Sequence, residues 1–139
     1  MNSIIPLDTR GRLVIPNEFR EALALKEGDE VLLSLDRKTD TLIISPIYGK
    51  PTDLVKLELE FGDAPGCLAK IAKKIAELKI DLIMTESKSS QRGKKARWDI
   101  IADISKSPNS INQIKQFLLQ SGFVESINIM KIERSRLHR

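Results

Sequence analysis

Cysteine and histidine are almost missing from this 139-residue chain, which has one of each, Cys67 and His138. A single cysteine excludes an internal disulfide and fits a reducing compartment. One histidine in the C-terminal tail leaves no Ser-His-Asp or Cys-His arrangement for nucleophilic catalysis. It also leaves no Cys/His set spaced for a metal. A phosphate loop of the GxxxxGKS or GxxxxGKT kind is absent. No apolar run approaches the roughly 20 residues of a membrane span, and the first residues lack the charged-then-apolar pattern of a signal peptide. These absences predict a soluble cytoplasmic protein that is not an enzyme, holds no metal or cofactor and has no membrane partner. Strong charge of one sign is also lacking. The net charge of +4 is too mild for a chain that coats nucleic acid nonspecifically. Seven Lys/Arg stand against eight Asp/Glu in the first 50 residues, and 16 against 11 after them.

What the chain does have is a dense local motif near its start. Leu7-Asp8-Thr9-Arg10-Gly11-Arg12-Leu13-Val14-Ile15-Pro16-Asn17-Glu18-Phe19-Arg20 sets three arginines around one tight turn and the elements that follow. Gly11 suits the backbone angle of such a turn. Leu13-Val14-Ile15 reads as a buried strand. Pro16 ends it and opens a helix with φ already set. Phe19, Ala22 and Leu23 recur at spacings of three and four, so one helix face packs and Arg20 points elsewhere. Lys26-Glu27-Gly28-Asp29 reads as a turn. Val31-Leu32-Leu33-Ser34-Leu35 and Thr41-Leu42-Ile43-Ile44 read as a hairpin joined by Arg37-Lys38-Thr39-Asp40. Its strands are apolar at nearly every residue, more than one face of a lone hairpin requires, which fits burial in a dimer. About 50 residues bury little core alone, and a dimer supplies the rest.

With that element order, Leu7-Asp8, Gly11-Arg12, Val14-Ile15-Pro16, Phe19-Arg20, Leu25, Gly28-Asp29 and Val31 resemble the DNA-binding module of the AbrB/MazE/SpoVT family. The resemblance covers roughly residues 3 to 47. It implies a swapped-hairpin β-barrel homodimer that grips double-stranded DNA through Arg12 and Arg20. Arg10 joins them by position, with Thr9 and Asn17 as lesser candidates. Two departures stand out: Glu21 occupies a place that is often basic in the family, and Ser3-Ile4-Ile5-Pro6 carries no basic residue. Because this half is net negative, binding would rest on the local arrangement of Arg10, Arg12 and Arg20 and not on bulk charge.

Pro46, Gly49 and Pro51 mark a linker, placed at residues 48–53, between a first domain at 1–47 and a second at 54–133; residues 134–139 form a basic tail. It is too short for free tumbling. In the second domain Val55, Leu57, Leu59 and Phe61 alternate with Lys56, Glu58 and Glu60, a half-buried strand. Gly62 to Gly66 is a loop. Leu68, Ile71, Ala72, Ile75 and Leu78 form the apolar face of a helix whose wet side carries Lys70, Lys73, Lys74 and Glu77. Leu82 to Ser87 is a strand, Ser89 to Lys95 a polar basic loop, and Arg97 to Ile104 a strand with Trp98, Ile100, Ala102 and Ile104 on one face. Ser107-Pro108-Asn109-Ser110 caps a helix carrying Ile111, Ile114, Phe117 and Leu118. Gly122 ends it, and Val124 to Ile132 is the last strand. The order predicts an α+β, ferredoxin-like βαββαβ domain: a four-stranded antiparallel sheet with both helices on one face.

The loop Asp63-Ala64-Pro65-Gly66, placed between the first strand and an apolar helix, is similar to the ACT domain over about residues 54 to 133. A helix start has unbonded N–H groups that suit a carboxylate, Gly66 has no side chain to block a ligand, and Asp63 would pair with an ammonium. An amino acid or similar small effector is the expected ligand of Asp63, Ala64, Pro65, Gly66, Cys67 and Leu68. The resemblance places the site between subunits, with Asp81 and Leu82 contributed by a neighbour. The plainer alternative is that Asp63 caps its own helix. Cys67 reads as a small packed residue, Trp98 as core. Lys88, Arg92, Lys94, Lys95 and Arg97 form a basic loop, and Lys131, Arg134, Arg136 and Arg139 a basic tail, either solvated or touching flanking DNA.

The whole reads as a ligand-responsive DNA-binding transcription regulator, a homodimer or higher homo-oligomer. The alternatives are a second domain that serves only oligomerisation, as in the related sheet domains of the feast/famine regulators, or an antitoxin-like protein that holds a protein partner.

Overall fold

The computed structural model describes residues 1–91 and 94–135. Arg92, Arg136, His138 and Arg139 lie outside them. The chain divides into unit 1, Met1–Tyr48, and unit 2, Gly49–Arg139.

Unit 1 holds a short helix α1 (Asn17–Ala22) and a hairpin of β1 (Val31–Asp36) and β2 (Thr41–Pro46). Pro16 is the N-cap, one position before the helix proper; its carbonyl accepts the Phe19 and Arg20 amides. Its fixed φ and missing N–H suit that place. The hairpin pairs antiparallel from Val31↔Pro46 to Asp36↔Thr41, and the Asp36 carboxylate accepts the Lys38 amide inside the turn. One expectation fails here. Leu13-Val14-Ile15 is extended but not a strand, and Val14 is 76% exposed. A strand needs a partner for its backbone groups, and this single chain provides none. For the same reason the hairpin is uncovered, with Leu33, Leu35, Leu42 and Ile43 exposed.

Unit 2 runs β3 (Leu54–Gly62), α2 (Cys67–Glu77), β4 (Asp81–Gln91), β5 (Lys95–Asp103), α3 (Ile111–Gln120) and β6 (Val124–Lys131). Its strands form one sheet in the order β4-β5-β3-β6, every neighbouring pair antiparallel. This is the ferredoxin-like βαββαβ order. The period-two apolar residues of β3 and β5 point into one core, made of Val55, Leu57, Leu59, Phe61, Trp98, Ile100 and Ala102 against Ile71, Ile75, Ile114 and Leu118. Both helices therefore cover the same sheet face. α3 begins in a capping box, with Ser110 accepting the Gln113 amide and Gln113 reaching back to the Ser110 amide. Gly122, at φ +82, follows the helix where a left-handed residue is needed.

The sheet departs from expectation at one end. Gly62 pairs with Lys95 inside the ladder, and β4 continues through the stretch read as a polar loop, with Ser89 paired to Ala96. Thr85, Ser87 and Ser89 carry no apolar signal, so pattern alone ended the strand early. Leu68 and Phe117 were placed on packed helix faces, yet they are 38% and 36% exposed, at the flanks of their helices.

The entry to unit 2 is pinned. The Asp103 carboxylate accepts the amides of Thr52 (3.3 Å), Asp53 (3.2 Å) and Ser105 (3.0 Å). The Ile104 amide donates to the Asp53 carbonyl. The Arg134 guanidinium donates to the Pro51 and Thr52 carbonyls. Burial pushes the Asp103 pKa up, but these donors outweigh it and the net shift is downward. Residues 51–53, read as linker, are thus held by the second unit.

Candidate nucleic-acid interface and ligand cleft

In unit 1 the arginine turn is organised by Asp8. Its carboxylate accepts the backbone amides of Arg10 (2.9 Å) and Arg12 (2.8 Å) and the Arg12 Nε (2.6 Å). The Asp8 amide donates to the Arg12 carbonyl and the Gly11 amide to the Asp8 carbonyl. Gly11 sits at φ +75, where a side chain is strained. Bonds from the Arg12 amide first, then from its side chain, hold the Asp8 carboxyl below its ordinary value. Arg12 therefore carries an ion pair, which the sequence reading of three unpaired cations missed. Its side chain is still 69% exposed, and the pairing uses Nε.

Arg20 is held separately. Its guanidinium donates to the Asn17 Oδ1 at 3.5 Å, and the Asn17 amide donates to Glu21 at 2.9 Å. Glu21, noted from sequence only as a missing basic residue, thus orients the side chain that touches Arg20. The i, i+4 spacing of Asn17 and Glu21 was the available signal. Arg10, Arg12, Arg20, Thr9 and Asn17 are all exposed. Among the described residues no hydrogen bond or ion pair joins the turn to α1.

In unit 2 an open cleft of about 210 Å³ lies where β3 passes into α2. Asp63, Ala64, Gly66 and Leu68 line it together with Phe61, Ala96, Ser87, Lys88 and Ser89. Four of the residues chosen from sequence are therefore brought together. Pro65 and Cys67 do not line it. Cys67 is half-buried with Sγ 3.8 Å from the Phe123 carbonyl, a packing role. Asp81 and Leu82 stand at the opposite end of β4, paired with Asp103 and Ala102. Asp63 does not cap α2: the N-cap is Gly66 at φ +83, with no side-chain cap bond. The Asp63 carboxylate instead accepts the Ser89 hydroxyl at 2.5 Å. Ser87, Lys88 and Ser89 were missed as site residues because the strand carrying them was cut short. Their i, i+2 spacing puts both serines on one face of β4. The cleft presents a carboxylate, two hydroxyls and a lysine around the apolar Phe61 and Leu68, complementary to a small zwitterion.

Residues 7–59 match the family model described as "Antidote-toxin recognition MazE, bacterial antitoxin", and the N-terminal unit is a MazE/AbrB-type domain. The chain is 36% identical over 61 residues to "Transcriptional regulator MraZ" of Shewanella baltica (strain OS195), covering 44% of this chain and 40% of that protein. It is 37% identical over 46 residues to the protein of the same name from Shewanella oneidensis (strain MR-1), covering 33% and 30%. The match thus spans less than half the length of these curated relatives. Among solved structures, the C-terminal domain of the MgtC protein from Mycobacterium tuberculosis aligns over 66% of this chain and all of that domain, at TM-score 0.46 and 8% identity. At that score the likeness bears on neither fold nor function. No helix of the described residues is long and apolar enough to cross a membrane.

Proposed function

We propose that the chain is a cytoplasmic DNA-binding transcription regulator that works as a homodimer or higher homo-oligomer. Unit 1 contacts duplex DNA through Arg10, Arg12 and Arg20, with Thr9 and Asn17 beside them, and unit 2 senses a small zwitterionic metabolite such as an amino acid. The observation that carries the DNA reading is the turn built on Asp8, which orders two arginine backbones within the stretch that matches the MazE model. The name of the Shewanella relatives agrees with it. Dimerisation follows from a unit of 48 residues whose apolar side chains Leu7, Val14, Leu33, Leu35 and Leu42 all lie more than half exposed. A second copy removes that surface from water, and exposed apolar area of this extent marks an interface.

Sensing rests on the cleft at Asp63, Ala64, Gly66 and Leu68, with Pro65, Cys67 and a neighbour's Asp81 and Leu82 as its periphery. Ligand binding regulates only if affinity differs between two arrangements of the subunits. The test is a gel shift on the chain's own upstream DNA, with and without the twenty amino acids. Wild type should bind, Arg12→Ala/Arg20→Ala should not, and affinity should fall about a thousandfold between 50 and 200 mM salt for six phosphate contacts per dimer. Unchanged binding by the folded double variant would overturn the DNA reading. No response to any amino acid, in mobility or thermal stability, would leave unit 2 as an oligomerisation domain. An antitoxin-like role, holding a protein partner, is favoured by the description of the matching family model; co-purification of one stoichiometric partner that releases DNA would establish it.

A further inference from the structure

The positive charge of the second half is not spread over unit 2. Residues 64–80 and 106–123, which contain α2, α3 and their flanking turns, hold six lysines (Lys70, Lys73, Lys74, Lys79, Lys106, Lys115) and one acid, Glu77. The rest of residues 51–139 holds ten residues of each sign. The whole excess therefore lies on the helical layer. The uncovered sheet face is the opposite case. There Arg97 pairs with Glu58 and Asp99, and Lys88 with Glu86.

A row of helix-surface lysines is ordinarily just solvated. Two features set this one apart. Among the described residues Lys74 alone of the six is in an ion pair, with Glu77 at 3.8 Å. Two of the ammonium groups are also held in place, Lys70 over the Phe123 ring at 5.2 Å and Lys74 over the Phe117 ring at 5.5 Å. Cation–π contacts order the side chains while leaving the charge in place, so less entropy is lost when they meet an anion. The other exposed residues of α3 are neutral amides, Asn112, Gln113, Gln116 and Gln120. They donate and accept hydrogen bonds without repelling phosphate.

We propose that the helical layer of unit 2 is a second, sequence-independent contact surface for the phosphates of duplex DNA. This rests on the reading of the chain as a DNA-binding protein and adds a contact that reading does not contain. Bulk charge is missing from unit 1, which is slightly acidic over its first 50 residues, so a nonspecific component must come from elsewhere. Unit 2 supplies it from one layer, as a set of point charges suited to backbone contact and not to base readout.

The test uses the full chain and a duplex unrelated to its upstream DNA, with affinity measured by fluorescence anisotropy over a salt series. Lys73→Gln/Lys106→Gln/Lys115→Gln changes three exposed residues outside the core and should melt like wild type. It should reduce the steepness of log K against log salt by about 2 to 3, near 0.9 per lost contact. The matching Lys→Arg triple should restore it. An unchanged slope in the glutamine triple, with binding still lost in Arg12→Ala/Arg20→Ala, would overturn this surface and leave the proposed function standing. The converse, binding lost with the lysines and kept without the arginines, would keep the surface and overturn the assignment of unit 1. A wild-type protein that binds no duplex would overturn both. Vesicles containing phosphatidylserine serve as the rival polyanion: loss of vesicle binding in the glutamine triple with an unchanged DNA slope would assign the patch to a membrane surface and overturn the proposal.

Discussion

The two units stabilise themselves in opposite ways. Every buried hydrophobic residue of the described chain lies in unit 2, from Leu54 at 6% exposed to Ile127 at 8%. Unit 1 has none, and residues as large as Ile4, Leu35 and Tyr48 stand in the open. Yet unit 1 is not poor in apolar residues; its hairpin is apolar at nearly every position. The difference is geometric. Unit 2 stacks two helices on a four-stranded sheet and closes a core within one chain. Unit 1 has one six-residue helix and two strands, too few surfaces to enclose anything. A domain of this size must borrow its core from another copy.

The largest expected effect breaks or sharpens that comparison directly. Leu57 and Ile71 are fully enclosed, so Leu57→Ala or Ile71→Ala should cost unit 2 about 2 to 5 kcal/mol. The loss should be the same at any protein concentration. In unit 1, Leu35→Ala removes a side chain that is 65% exposed in the single chain. It should matter little if that exposure persists and should weaken the dimer if a partner covers it. Denaturant unfolding at two concentrations a hundredfold apart distinguishes these outcomes. A unit 1 transition whose midpoint ignores concentration would mean that the unit stands alone, and the borrowed-core account would fail.

The same contrast governs how much could be read from sequence. The β3 and β5 alternations, the apolar stripes of α2 and α3 and the Ser110 cap were legible because each is a local pattern with a fixed period or offset. The hidden features are of two kinds. Leu13-Val14-Ile15 looked like a buried strand because β-branched runs belong in sheets, but pairing depends on what lies alongside, which a single chain does not supply. The bonds from Asp103 to the segment near Thr52 and from Ser89 to Asp63 join residues about 50 and 26 positions apart, and no local pattern announces them. The arginine turn lies between these cases. Gly11 gave away the turn, while the pairing of Arg12 with Asp8, four residues earlier, went unread although the spacing was visible.

A smaller effect concerns the pinned entry to unit 2. Asp103→Ala removes the acceptor for three backbone amides and should cost about 1 to 2 kcal/mol in the concentration-independent transition. The pH dependence follows from the downward shift of its pKa. A carboxyl more acidic when folded contributes stability above its unfolded value, about 3.9, and that contribution is lost as pH falls through the lower folded value. Thermal unfolding between pH 6 and pH 2.5 should therefore show part of the wild-type acid loss missing in Asp103→Asn. Parallel curves for the two proteins would show that the bonds contribute nothing.

The smallest effect belongs to unit 1, where order comes from exposed polar bonds and not from burial. Asp8 also titrates below its ordinary value, chiefly through the Arg12 amide. It is exposed, so its protonation should hardly alter global stability. What it should alter is the local order of the turn. By the same sign argument, the bonds to Arg10 and Arg12 persist above the unfolded carboxyl value and are released only as pH falls through the lower folded one. The amide resonances of Arg10 and Arg12 should move together, with one midpoint below about 3.9, while those of α1 residues stay still because no bond joins the two elements. Asp8→Asn should remove the shared titration and leave the melting temperature near wild type. If it instead lowered the melting temperature as much as a core truncation does, polar organisation would be stabilising unit 1 to the degree that burial stabilises unit 2, and the contrast between them would dissolve.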